Sequence, residues 1–199
     1  MNTTLYLVRH GETVWHAENR YAGVSDVALT QRGVDQAVRL SAWAEKTGLD
    51  AVWASPLGRA RATAEPTAQT LGLPVTVDAD LAEVGFGAAE GRTLAELPSD
   101  LVAAFRANPV DGAFPGAEDF REAAARGVAA LHRIAARHPG RRVLVVAHNT
   151  LLRLVLCELL GIPLDRYRTV FPRLRNCSPT ELSMDGTGAG LIALNTPLP

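Results

Sequence analysis

Long apolar runs, lysine, paired cysteines and blocks of like charge are all scarce in this 199-residue chain. No stretch approaches the roughly 18 apolar residues that cross a bilayer. The start, Met1-Asn2-Thr3-Thr4, lacks the charged region of a signal peptide, so a cytoplasmic, soluble protein is expected. A formal net charge of -1 and a pI near 6.5 offer no field to draw the chain to nucleic acid or an anionic membrane. Only two cysteines occur. Cys157 falls in the apolar helical stretch Leu151 to Leu160 and Cys177 in a later loop, so no disulfide is expected. The five histidines, His10, His16, His132, His138 and His148, show no ligand spacing among themselves or with the cysteines, so no metal is expected. A Walker glycine loop and a dinucleotide fingerprint are both missing, and no cofactor is expected. Repeats and linkers are absent too, which makes residues 1–199 one expected domain.

What is present is a chain that is 47% hydrophobic and punctuated by strand-like runs ending in chemistry. Leu5-Tyr6-Leu7-Val8 reads as a strand buried on both faces, delivering Arg9, His10 and Gly11 at its carboxyl end, where open α/β sheets bind ligands. Arg142 to Ala147 repeats the pattern and delivers His148, so the two histidines can meet over one pocket. Between them, Thr30 to Gly48 predicts a helix with an oxygen N-cap and a glycine stop, and Asp50 to Ser55 a strand. Pro56 to Leu71 predicts a second helix and Leu73 to Val77 a third strand. Residues 84–119 are rich in glycine, proline and acids, with helical patterning only over stretches such as Leu94 to Phe105, and are expected to cap the pocket. Phe120 to His138 and Thr150 to Leu160 predict two more helices, and Asp185-Gly186-Thr187-Gly188 a hairpin turn near the end. Strands alternating with helices imply an α/β, three-layer αβα sandwich with a mostly parallel sheet.

Six segments spread in order over residues 5–153 carry a more specific signal. They are Arg9-His10-Gly11-Glu12-Thr13, Leu29-Thr30-x-x-Gly33-x-x-Gln36-Ala37, Ser55-Pro56-Leu57-x-Arg59-Ala60-x-x-Thr63-Ala64, Leu81-x-Glu83, Glu90-Gly91 and Ala147-His148. In this set the chain resembles the histidine phosphatase superfamily, also called the phosphoglycerate mutase-like family. The resemblance implies the same three-layer fold with a late antiparallel edge. It also implies a metal-independent reaction in which His10 attacks phosphorus and becomes a phosphohistidine. Arg9 and Arg59 would hold the phosphate with forked donors, His148 would donate to charge developing in the transition state, and Glu83 would protonate the leaving oxygen. The alternative for Glu83 is a surface glutamate after a strand; Glu12 and Glu90 are read as structural.

Two positions depart from the family pattern. His16 stands where asparagine usually follows Trp15, and Asn149 where glycine usually follows the second histidine. As substrate-binding candidates, a protonated His16 would add an activity limb near pH 6.5, and Asn149 would tolerate a left-handed turn or cap a helix. The favoured reaction is hydrolysis of a small phosphorylated metabolite, with a phosphoglycerate mutase as the alternative and a non-catalytic phosphoprotein-binding scaffold behind it. In residues 86–120 only Arg92 and Arg106 oppose Glu90, Glu96, Asp100, Asp111, Glu118 and Asp119, a balance that predicts a neutral-tailed substrate. Phe86, Leu94, Leu97, Leu101, Phe105 and Phe114 could face that tail or pack in the core. Arg166, Arg168, Arg173 and Arg175 are expected to be solvated.

Overall fold

Alternation along the strands builds the layers. In β1 (Thr3–Arg9) and β4 (Arg142–Ala147), Leu5, Leu7, Val143, Val145 and Ala147 face one apolar cluster, while Val8, Leu144 and Val146 face another. A strand with two buried faces needs a helical layer on each side. The computed structural model, which describes residues 1–186 and 188–198, supplies both. Helices α1 (Gln31–Thr47) and α2 (Gly58–Leu71) cover one face. Helices α4 (Phe120–Arg137) and α5 (Asn149–Leu159) cover the other, with α3 (Ser99–Ala107) and α6 (Tyr167–Val170) beside them.

With β2 (Ala51–Ala54), β3 (Val75–Val77), β5 (Pro179–Met184) and β6 (Ala189–Ala193), the sheet has the order β3-β2-β4-β1-β5-β6. Neighbours from β3 through β1 are parallel, and the β5–β6 hairpin closes the sheet antiparallel. The turn expected at 185–188 includes Thr187, which lies outside the described residues. Register decides the function of this sheet: Arg9 pairs with Ala147, so the next residues, His10 and His148, leave adjacent strands side by side. The His10 amide donates to the Ala147 carbonyl at 3.0 Å and carries the ladder one step further.

Local signals explain most element boundaries. The Thr30 side chain accepts from the Gly33 amide, and Gly48 ends α1 at φ 67°. Leu57, rather than Pro56, caps α2, so that helix starts later than its proline suggested. The pattern from Leu94 to Phe105 is not one helix. Pro98 cannot continue a hydrogen-bonded turn, so a short 3-10 turn at Leu94–Glu96 ends and α3 begins afresh at Ser99. The short helix α6 had no periodic signal and went unpredicted, since four residues are too few to show one.

The turn after β1 is held by close backbone approach. A Cβ on Gly33 would lie 2.1 Å from the Glu12 carbonyl oxygen, and one on Gly11 would lie 2.6 Å from that of Gly33. Gln36 accepts from the Glu12 amide at 2.8 Å, and Thr63 accepts from the Gly11 amide at 3.0 Å while donating to the Arg59 carbonyl at 2.7 Å. The motif residues of α1 and α2 thus grip the loop that carries His10. Gly33→Ala gains helix propensity of about 1 kcal/mol, but the backbone clash is expected to outweigh it, for a net loss of about 2 kcal/mol. Chemical denaturation checks this, and a midpoint equal to or above that of the wild type would refute it.

Candidate active site

His10 and His148 have ring centroids 5.1 Å apart and are 6% and 0% exposed. His10 Nδ1 lies 2.7 Å from the Gly11 carbonyl oxygen, which can only accept. The proton therefore sits on Nδ1, and Nε2 keeps an unshared pair. Burial, followed by the charges of Arg9 and Arg59, pushes His10 well below the usual imidazole range, so it is neutral at pH 7. His148 is pushed down in the same direction by burial and then by His10. Its Nε2 lies 2.7 Å from Ser55 Oγ, which already accepts from the Leu57 amide at 3.2 Å. Ser55 keeps a donor and a second acceptor site for Nε2, and its donation places the His148 proton on Nδ1. That atom is buried and has no partner.

The arginines are held by carbonyls rather than by acids. Arg59, 1% exposed, donates through Nη1 to Ser25 at 2.7 Å and through Nη2 to Ala22 and Gly23 at 3.0 and 2.7 Å. Glu90, expected to be structural, has a definite task here: it accepts from the Gly23 and Ser25 amides at 2.9 and 3.0 Å, clamping the loop whose carbonyls hold Arg59. Arg9 donates to the Leu174 carbonyl at 3.0 Å, and burial, followed by the charge of Arg153, lowers it to about 10, still a cation at pH 7. Neither arginine has a carboxylate at ion-pair distance among the described residues. Both Nε atoms are buried without a partner. Asn176 anchors the same strand end by donating to the His10 carbonyl at 2.7 Å.

Glu83 is 5% exposed and lines a cavity of about 400 Å³ together with Arg9, His10, His16 and Asn149. It is no surface glutamate. Its Oε1 accepts from Val84 and Leu151 at 3.0 and 2.8 Å, and its Oε2 from Thr150 at 3.0 Å, so the side chain closes the N-terminus of α5.

Three expectations need correction. His16 is not a protonated donor: burial, followed by the Arg9 charge, lowers it to about 4. Its Nε2 sits 2.6 Å from Arg9 Nη2 and its Nδ1 2.8 Å from Thr13 Oγ1, so a neutral imidazole orients Arg9. Asn149 is not left-handed; it is the first residue of α5, and His148 is the cap. Arg168 is not merely solvated, for it lines the cavity, as do Arg20 and Arg153, whereas Arg173 and Arg175 are exposed and do not. None of the six acids of residues 86–120 reaches the cavity, and of the apolar set only Phe86 and Leu94 line it. Phe105 and Phe114 stack on each other in the core, 4.5 Å apart. Ser55, Asn176 and Arg153 were missed as site residues. Ser55 belonged to a quoted motif and Asn176 to a segment, Asn176-x-Ser178, whose family counterpart lies near the pocket, but Arg153 carries no signal until the chain folds.

A mostly parallel sheet that sets two neutral histidines side by side at its strand ends, with Arg9 in the cavity wall and Arg59 buried, defines an α/β protein with a histidine- and arginine-rich cavity. The chain belongs to the histidine phosphatase superfamily (branch 1), whose family model matches residues 5–197. It is 40% identical over 177 residues to the protein named "Probable phosphoglycerate mutase GpmB" from Citrobacter koseri, covering 87% of this chain and 81% of that one. Among solved structures, Bacillus stearothermophilus YhfR superimposes with a TM-score of 0.91 at 32% identity, covering 98% of each chain. The mycobacterial glucosyl-3-phosphoglycerate phosphatase does so with a TM-score of 0.87 at 28% identity, covering 98% of this chain and 99% of that one.

The low His16 value has a stability consequence. The folded state rejects a proton that the unfolded chain takes up near pH 6.5, so this contribution is complete above that pH and fades as pH falls toward about 4. His16→Asn is therefore expected to lose fewer degrees of Tm than the wild type between pH 7 and pH 4.5. Calorimetric scans at both values check this; parallel losses would count against a neutral His16.

Proposed function

We propose that this enzyme is a metal-independent phosphatase that hydrolyses a small phosphate monoester through a phosphohistidine on His10. The observation that carries the reading is the neutral His10 beside His148, ring centroids 5.1 Å apart, together with the buried Arg9 and Arg59, whose Nε donors have no partner. Leaving buried donors without acceptors is costly, and a phosphate ester supplies oxygens to satisfy them. In this reading His10 Nε2 attacks phosphorus in line, the two arginines and His148 hold the non-bridging oxygens, and Glu83 gives its proton to the leaving oxygen. Water then takes the phosphoryl group from His10. His16 contributes by orienting Arg9, and Asn149 by lining the cavity wall. A small phosphorylated metabolite in the cytoplasm, rather than nucleic acid or membrane, is the partner in this reading.

His10→Ala is expected to release no phosphate above background from any monoester, and acid-labile phosphate should be trapped on His10 of the wild type with chelator present. Phosphate trapped on another residue would sink the assignment. Glu83→Gln is expected to slow an alkyl phosphate by about a hundredfold, and 4-nitrophenyl phosphate far less, because a good leaving group needs no proton. An equal loss for both would restrict Glu83 to closing the end of α5.

The names of curated relatives favour a second reading, an isomerase that returns the phosphate to its substrate as a phosphoglycerate mutase. Incubation of 3-phosphoglycerate with a trace of 2,3-bisphosphoglycerate, followed by phosphorus NMR, separates the two. The phosphatase reading expects inorganic phosphate, and 2-phosphoglycerate formed faster than phosphate would favour the mutase.

A further inference from the structure

Building on Glu83 as the group that protonates the leaving oxygen, we infer that Arg126 and Glu118, neither of which lines the cavity, are the positioning pair that aims Glu83 into it. Glu83 needs such a hold. Residues 83–86 belong to no helix or strand, and the 3-10 turn before them, Ala79–Leu81, is three residues long. An irregular segment keeps a carboxyl to the sub-ångström placement that proton transfer requires only when something outside the segment fixes it.

Arg126, on α4, is that fixture. Its Nη1 donates to the Asp80 and Ala82 carbonyls at 2.7 and 2.8 Å, and its Nη2 to the Glu83 carbonyl at 3.3 Å. Nε and Nη2 also fork onto the two oxygens of Glu118 at 2.6 and 2.9 Å. These contacts engage all the N–H donors of the guanidinium. The Ala82 and Glu83 carbonyls belong to the two peptide planes that flank the Glu83 Cα, so holding both fixes the direction in which its side chain leaves the main chain. Glu118 ties in Gly85 as well: its Oε2 accepts from the Gly85 amide at 3.3 Å, and its own amide donates to the Gly85 carbonyl at 2.9 Å. The carboxylate end of Glu83 is held separately, by the Val84, Thr150 and Leu151 amides.

Arg133, two turns further along α4, supplies the contrast. It grips the start of the same segment through the Asp78 and Asp80 carboxylates at 3.0 and 2.6 Å, and its side chain is 51% exposed against 21% for Arg126. Arg126 instead reaches main-chain carbonyls on both sides of Glu83. The single nitrogen of a lysine cannot span those carbonyls and Glu118 together.

The test is steady-state kinetics on the full chain with two esters: glycerol 3-phosphate, whose alkoxide leaves poorly, and 4-nitrophenyl phosphate, whose phenolate leaves well. The quantity compared is kcat/KM, which covers the steps up to departure of the leaving group. Arg126→Lys is expected to lower it by about tenfold or more for glycerol 3-phosphate and by less than about twofold for 4-nitrophenyl phosphate. Glu118→Gln sets an amide NH2 against the donors of Arg126 and Gly85, and is expected to shift the ratio the same way should Arg126→Lys fail to fold. Arg133→Gln is expected to leave the ratio at its wild-type value. In the Glu83→Gln background, Arg126→Lys is expected to cost no further activity on glycerol 3-phosphate, since it acts through Glu83. Equal losses from Arg126→Lys where Glu83→Gln discriminates between the esters, or effects of the two substitutions that multiply, would overturn the positioning pair. Glu83→Gln alone judges the proton donor: an equal loss on both esters removes that role, while the double variant still decides whether Arg126 works through Glu83.

Discussion

Positive charge is buried in this protein without the negative charge that would neutralise it, and much of the architecture exists to make that tolerable. Arg59 is enclosed, and its terminal nitrogens reach three backbone carbonyls of residues 22–25. Carbonyl dipoles solvate a guanidinium but leave its net charge in place, so the site keeps its pull on an anion. Glu90 holds the other side of the same loop through two amides, which stops those carbonyls from turning away. Had Glu90 reached Arg59 itself, the pair would be neutral and the cavity would lose a charge.

The histidines answer the same constraint. Surrounded by arginines and shielded from water, an imidazolium at position 10 or 148 is disfavoured, and both rings stay neutral. Neutrality gives each ring one donor and one acceptor, and a single fixed neighbour then decides which nitrogen does what. The Gly11 carbonyl assigns the proton of His10, and Ser55 engages one nitrogen of His148 and leaves the other without a partner. His16 adds a third neutral ring, which touches Arg9 and cannot quench it. The carboxylate in the cavity, Glu83, is bound by amides at the start of α5 and forms no ion pair with an arginine among the described residues. The fold thus keeps opposite charges close without letting them collapse onto each other.

Much of the fold was legible because each element announces itself locally. Thr30 and Gly48 bracket α1, apolar runs bounded by chemistry mark β1 and β4, and the alternation of types implies a parallel sheet. The catalytic candidates His10, His148, Arg9, Arg59 and Glu83 were legible because they sit in motifs whose glycines and small polar residues have local jobs. Gly33 lets α1 approach the Glu12 carbonyl, and Thr63 ties Gly11 to Arg59. Failures came where a local pattern had two outcomes. Leu94 to Phe105 has helical spacing, but Pro98 splits it; four arginines after residue 165 look alike in sequence, yet only Arg168 turns inward.

By itself the sequence determined the layers, the order of strand and helix, and the offer of His10 and His148 at strand tips, since these follow from periodicity over a few residues, while Arg59 and Glu83 were offered by the family resemblance of their motifs. Tertiary structure alone decided the charge of His16, the acceptor role of Glu83 and the membership of Arg153 and Arg168 in the cavity. The physical reason is range. Periodicity and capping act between near neighbours, whereas desolvation and uncompensated charge depend on residues far apart in the chain that meet only when Arg9 and Ala147 come into register.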